Sequence, residues 1–559
     1  MNVSRRFMKF CALGGLGMLL LGLLAVPGES APAGDKPPRY KVIYNWDGAP
    51  RGYSKYPQSV EDFVDHVFAP LKDTQVDALF WCTGTHEATW ASEKIPMPGD
   101  ALGRRYTSVR NMVIDENILA MIERGENPFQ ALVERGRELG IAVYASIRMN
   151  DNHFHGLQVE EMAETEMGRL SEFRKQHPEW CLGADEAPPW FALSWNMSIP
   201  EVREYRFQYI KEAIAQAEWD GIELDWQRHG FHLPKDEGKR LSYAITDLQR
   251  AVRNHTQDIA KRRGQPFYVA VRVATTPESC GRIGYDLRTW IDEDLCDIIV
   301  AGGGAGTDPG TEVEAFRELI GDKPIRFYPG FDSGFWGEYH GLEPRKQWNR
   351  AMYRAYATGF WRRGVDGIYA FNWHASETGR RDLLTTVGAP ETLKNTDKVY
   401  AALHREVRES GLNWSGADKH DRIYGETPVR LYRTLTRRGP TFRVDVHDDV
   451  ASASSSGELD KVELRVGLAQ FSSQDQVEVT FDGVTLVQPR VERPKAGTSL
   501  DLFAAGDHSW LVWTLSPRQA ALGTHEVEVR LIKRDPRLRP ALIVDRVEMH
   551  VRYNSVSGR

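Results

Sequence analysis

The stretch Asp220-Gly-Ile-Glu-Leu-Asp-Trp-Gln-Arg-His229 sets two carboxylic acids, Glu223 and Asp225, two residues apart among apolar Ile222 and Leu224. That alternation is the pattern of a short strand, with the apolar pair on one face and both acids on the other. Two acids on one strand face carry a desolvation cost that packing alone does not offset, so the pair points to chemistry. The competing reading is an ordinary strand whose acids are capped by Arg228. Two carboxyls suit glycoside hydrolysis, in which one protonates the leaving oxygen and the other attacks or activates water. Asp225, last in the strand, is the first candidate for one of these roles. Glu223 lies about 6–7 Å away along the strand, one layer deeper, and is a candidate partner or a group that orients Asp225. Asp332, in Tyr328-Pro-Gly-Phe-Asp332, is the other candidate partner, with Glu87 a further rival. Which carboxyl is acid and which is base or nucleophile stays open.

The ends of neighbouring β-rich runs supply candidates for holding a substrate. They are Trp46, His86, Glu87, Arg148, Asn150, Asp151, His153, Trp226, Arg228, His229, Arg272, Asn372 and Trp373. Polar groups interleaved with Trp suit a groove that bonds hydroxyls and stacks on pyranose faces. Arg148, Arg228 and Arg272, if they converge, have two uses. They suit an anionic sugar, or they pair with Glu223, Asp225 or Asp332. His153, His155, His229 and His232 with Asp151 make metal-assisted hydrolysis a rival. Nearby arginines repel a cation and no His-x-x-x-His helix appears, so neither metal nor cofactor is expected.

Positioning these residues requires an α/β frame. From Tyr40 to about Leu412, β-rich runs alternate with amphipathic helices. The runs are Tyr40–Trp46, Ala78–Cys82, Ile141–Ile147, Ile222–Asp225, Phe267–Val273, Asp297–Val300, Ile325–Tyr328 and Gly367–Phe371. Eight such runs with intervening helices predict a (β/α)8 TIM barrel over 38–412, with the site at the C-terminal ends of the strands. Gly302-Gly-Gly304 lacks the spacing of a phosphate loop. Beyond a polar linker, 413–427, strictly alternating runs such as Val477–Phe481 and Val527–Leu531 predict a C-terminal all-β sandwich over 428–555. Asp482-Gly483 marks a hairpin and Ala451–Gly457 a flexible loop. The sandwich either holds sugars or braces the barrel.

Residues 1–33 read as an export signal: a basic start, Ser4–Lys9, then an apolar run from Phe10 to Val26. Arg5-Arg6 resembles a twin-arginine signal, one residue short of its pattern. The destination is periplasmic or extracellular, with membrane attachment only if the segment is not cleaved. Cys82, Cys181, Cys280 and Cys296 remain after it, without Cys-x-x-Cys spacing, and free buried thiols are the default. With 71 Lys and Arg against 78 Asp and Glu, the net charge of −7 argues against a nucleic-acid partner.

The strand-four stretch resembles the Asp-Gly-Ile-x-x-Asp-Tyr-x-Arg-Tyr signature of the glycosyl-hydrolase-like family 10 proteins. These are secreted glycosidases with a (β/α)8 fold. The resemblance gives Asp225 the family's strand-end Asp, Trp226 its aromatic and Arg228 its Arg, and Gly140-Ile-Ala-Val-Tyr-Ala matches the usual third strand. The stretch is also similar to the chitinase family's Asp-Gly-x-Asp-x-Asp-Trp-Glu. There the final Glu is the acid, and this chain has Gln227, which cannot protonate a leaving group. The expectation is an exported glycoside hydrolase acting on a poly- or oligosaccharide. The alternatives are a non-catalytic carbohydrate-binding protein on a degenerate barrel, or a metal-dependent hydrolase.

Overall fold

The computed structural model describes residues 36–46, 56–84, 86–150, 152–154, 156–167, 170–302, 307, 310–332, 335–337, 345–347, 349–376, 378–402, 427–431, 438–493 and 508–554. The expected export signal, and the expected linker up to residue 426, lie outside these residues. Eight parallel strands close into a barrel in chain order. They are β1 (Val42–Trp46), β2 (Val76–Cys82), β3 (Ala142–Arg148), β4 (Gly221–Asp225), β5 (Tyr268–Val273), β6 (Ile298–Ala301), β7 (Arg326–Phe331) and β8 (Ile368–Phe371). This is the expected (β/α)8 architecture. Helices between the strands pack outside them, and their ends follow from local chemistry. In Pro128–Leu139 the Asn127 side chain accepts the first free N–H groups, and Gly140, at φ 71°, ends the helix before β3.

Residue parity divides the core into two. Val42, Tyr44, Leu79, Trp81, Ile222 and Leu224 face outward and bury against the helices. Ile43, Phe80, Tyr144, Ala270, Val300, Tyr328, Tyr369 and Phe371 face inward and fill the barrel. The interior is therefore packed rather than hollow, and a polar group can sit within it only with partners in place. Gly221 belongs to the inward row. A Cβ there would lie 2.3 Å from the Tyr144 ring and 2.5 Å from the Tyr268 carbonyl oxygen. The glycine of the strand-four stretch thus leaves room for the aromatic layer beneath the acids.

Two antiparallel sheets form the C-terminal sandwich. One has the order β9-β18-β12-β16-β15, with β10 also on β18. The other runs β11-β17-β13-β14. The strands are β9 (Lys398–Ala401), β10 (Val429–Leu431), β11 (Thr441–Val446), β12 (Leu459–Ala469), β13 (Gln476–Phe481), β14 (Val484–Thr485), β15 (Arg490–Glu492), β16 (His508–Leu515), β17 (Gly523–Lys533) and β18 (Leu542–Tyr553). The hairpin at Asp482-Gly483 forms, with both residues at positive φ. Two details differ from the sequence reading. Ala451–Gly457 is not a plain loop: Val450–Ser455 is a short helix, capped by the Asp449 side chain and anchored by buried Val450 and Ala453. β9, inside the stretch expected for the barrel, pairs with β18 and is the first strand of the sandwich.

That crossover joins the two parts. Lys398 is fully buried, lies 3.0 Å from Asp448 and donates to the Leu393 and Thr396 carbonyls. Gly359, on the barrel helix Arg350–Arg362, faces His447 so closely that a Cβ would fall 2.6 Å from its ring. No helix among the described residues is long and apolar enough to cross a membrane.

Candidate active site

Strand register brings the charged residues of the mouth together. Asp225 pairs across the barrel sheet with Arg148 of β3 on one side and Arg272 of β5 on the other. One layer deeper, Glu223 stands between Ser146 and Ala270. Parity and register thus set a carboxylate between two arginines above a second, neutral-flanked carboxyl.

The two acids differ in their surroundings. Asp225 is 1% exposed, and its Oδ1 accepts from the Gln227 N–H at 3.0 Å, the Arg228 N–H at 2.9 Å and Arg272 Nη1 at 2.9 Å. Its Oδ2 is buried and accepts no hydrogen bond among the described residues. Glu223, in contrast, has both oxygens occupied. Asn45 Nδ2 donates to Oε2 at 2.8 Å, the Ser146 hydroxyl donates to the same oxygen, and the Tyr369 hydroxyl donates to Oε1 at 2.6 Å. Burial, then the charge of Asp225, push the Glu223 carboxyl up from 4.5 to about 7, while Ser146, Tyr369 and Arg272 pull it down.

Arginines and rings complete the mouth. The Arg272 guanidinium lies 3.9 Å from the centroid of the Phe371 ring, and that of Arg228 5.6 Å from it. Burial opposes the Arg272 charge, but Asp225, together with Tyr369 and Asp332, more than restores it and the group stays raised. Arg228 Nη2 lies 3.2 Å from His153 Nε2, which must accept because a guanidinium only donates. His229 Nδ1 accepts the Asn152 N–H at 2.8 Å, and the rings of His153 and His229 meet edge to face at 5.1 Å. Asp332 continues the inward row of β7. Its N–H donates to Thr307 Oγ1 at 2.9 Å, its carbonyl accepts the Tyr353 hydroxyl, and its charge acts on Arg272.

Several residues expected at the substrate are placed elsewhere. Trp226 and Trp373 are 0% and 1% exposed, and Trp46 is half-buried. Trp46 and Trp226 fall on the outward parity, and Trp373, just past the left-handed Asn372 that ends the alternation of β8, joins the same shell between strands and helices, so all three pack the barrel rather than present a face to a sugar. Trp226 packs on Tyr285 and Trp290, and Trp373 on Tyr353 and Phe331. Asn150 clasps backbone: its Nδ2 donates to the Trp195 and Phe231 carbonyls and its Oδ1 accepts the Trp195 N–H. His86 lies against Arg174 and Phe154, and Glu87 is half-buried on the same loop. Asn372 is half-buried at φ 51°, followed by His374 at φ 49°. Two left-handed, non-glycine residues just beyond β8 mark backbone strain at the mouth. Asp151, and His155 with it, lie outside the described residues. His232 is held by its contact with the Trp226 carbonyl, and burial lowers it to about 4. Ser146, Tyr369 and Phe371 carry no motif of their own in the sequence; the parity of β3 and β8 around their apolar neighbours is the one signal that places them inward.

No family model matches the chain, and no curated protein matches it. Among solved structures it is similar to a cycloisomaltooligosaccharide glucanotransferase from Paenibacillus sp., at 10% identity and a TM-score of 0.30, covering 91% of this chain and 57% of that one. It is also similar to a multi-modular cell-surface chitinase from Paenibacillus sp., at 12% identity and a TM-score of 0.36, over 90% of this chain and 40% of the other. A β-L-arabinopyranosidase from Geobacillus stearothermophilus gives 12% and 0.34, over 89% and 97% of the two chains. The chain thus spans about half the length of the first two. The barrel assignment rests on the strand pairing of the chain itself.

Proposed function

We propose that this protein is a glycoside hydrolase, acting after export on a poly- or oligosaccharide, with Asp225 as the carboxylate that engages the sugar. One observation carries the reading. Asp225 Oδ1 is filled by three donors, while buried Oδ2 accepts no hydrogen bond among the described residues. A buried carboxylate oxygen left in that state is costly unless a ligand completes it. The two backbone N–H groups and Arg272 fix the carboxylate's orientation, and the stack on Phe371 fixes Arg272. Oδ2 then attacks the anomeric carbon or takes a proton from water, and a second carboxyl protonates the leaving oxygen.

Asp332 is the better partner, because Glu223 lies a layer below and both its oxygens already accept donors. The charge of Asp225 instead acts on Glu223, raising it. The placement of Arg272 on Asp225 favours the pairing role for this arginine over recognition of an anionic sugar. Reducing-sugar release across neutral, uronic and sulfated polysaccharides, by wild type and Asp225→Asn, tests the proposal. Activity that falls by about 10²–10⁴-fold in the variant supports it. Activity unchanged by the substitution moves the chemistry away from Asp225. Sugar binding by both forms, with no product from either, replaces it with a carbohydrate-binding protein.

A further inference from the structure

A cavity of about 500 Å³ opens between the loop and first helix (Val109–Glu123) that follow β2 and the loop that follows β3, on the same end of the barrel as Asp225. Its volume falls within the roughly 300–1,000 Å³ of small-ligand sites. His153 lines it, and this residue connects it to the carboxylates. His153 accepts from the Arg228 guanidinium, whose backbone N–H in turn donates to Asp225 Oδ1. A ligand seated there lies two residue contacts from the proposed reacting group.

The lining chemistry selects the kind of ligand. Arg105 and Arg110 face this space together with Asp115 and Glu166, so the formal charges cancel. An anionic sugar would meet two carboxylates, and a cationic one two guanidinium groups. Sugar hydroxyls, which both donate and accept, are satisfied by both kinds of group. The wall is also held in place before any ligand arrives. The Tyr106 hydroxyl donates to Glu116, and Arg104 donates to both oxygens of that same carboxylate. Tyr106 packs so tightly on Gly99 that no Cβ fits between them. A preorganised wall of this kind lowers the ordering cost of binding.

We infer that this cavity is a subsite for a further, uncharged sugar unit, so that the protein works on chains rather than on small glycosides. The inference rests on the glycosidase reading for its catalytic meaning, but its binding content is separable.

The test is calorimetric titration of the full chain carrying Asp225→Asn with cellohexaose, xylohexaose, chitohexaose and a galacturonate hexamer, each beside its disaccharide. One neutral hexasaccharide is expected to bind about 10- to 100-fold more tightly than its disaccharide, as charged-group hydrogen bonds allow. Adding Arg105→Ala and Arg110→Ala should remove most of that gain, with the circular dichroism spectrum unchanged. A gain that survives both substitutions overturns the subsite, as does preference for the galacturonate hexamer or the absence of binding by every neutral hexamer. Binding gain without turnover by wild type leaves the subsite standing and overturns the glycosidase reading alone.

Discussion

Glu223 makes the stability of the barrel depend on pH in a direction opposite to that of a salt-bridged acid. Its carboxyl is raised from 4.5 to about 7, by burial first and by Asp225 second. Between those values the folded chain holds a proton at Glu223 that the unfolded chain has released. Stability rises with pH only where the unfolded state binds more protons, so this group makes the fold less stable as pH rises from 4.5 to 7 and adds no further change above that. At 1.36 kcal/mol for each pH unit, the whole effect is about 3 kcal/mol. Glu223→Gln keeps the volume and cannot ionise. Its oxygen can accept from Asn45 and Ser146, and the Tyr369 hydroxyl can turn to accept from its NH₂ group, at a cost of about 1 kcal/mol. The variant should therefore be slightly less stable than wild type at pH 4.5 and about 2 kcal/mol more stable at pH 8. Urea denaturation followed by circular dichroism at 222 nm, dominated by the barrel helices, measures both. Parallel pH profiles for the two proteins would refute the reasoning, because Glu223 would then ionise as it does in the unfolded chain.

Other consequences follow from the same contacts. Arg272→Met should destabilise the barrel by about 3–5 kcal/mol in the same assay, since it leaves Asp225 buried without its ion-pair partner; Asp225→Asn combined with Arg272→Met should recover part of that loss. Gly221→Ala forces a Cβ against the Tyr144 ring and should cost about 1–3 kcal/mol or abolish soluble expression, although it touches neither acid. Lys398→Met strips Asp448 of a buried partner and should lower the unfolding midpoint measurably, whereas a change at a separate, solvated linker would not. Trp226→Phe should lower stability while leaving KM for any hydrolysed saccharide within about twofold, because the indole packs on Tyr285 and Trp290 outside the barrel; a large rise in KM would return Trp226 to the substrate.

The alternation of Ile222 and Leu224 with Glu223 and Asp225 determined a strand with both acids on one face, because side chains on a strand point to opposite sides in turn. Eight such runs separated by helical segments determined the barrel, since parallel strands joined by helices close in few ways. The same parity assigns Trp46 and Trp226 to the helix side, although tryptophan beside polar residues reads as a sugar platform when its neighbours in space are unknown. Asn150 illustrates a further gap: its partners at Trp195 and Phe231 are 45 and 81 residues away along the chain. Only the tertiary structure decided that Arg148 and Arg272 flank Asp225, that Glu223 is held by Asn45, Ser146 and Tyr369, and that β9 belongs to the sandwich. Each of these depends on inter-strand register, which is set by packing and hydrogen bonding between distant segments and leaves no mark in the local order of residues.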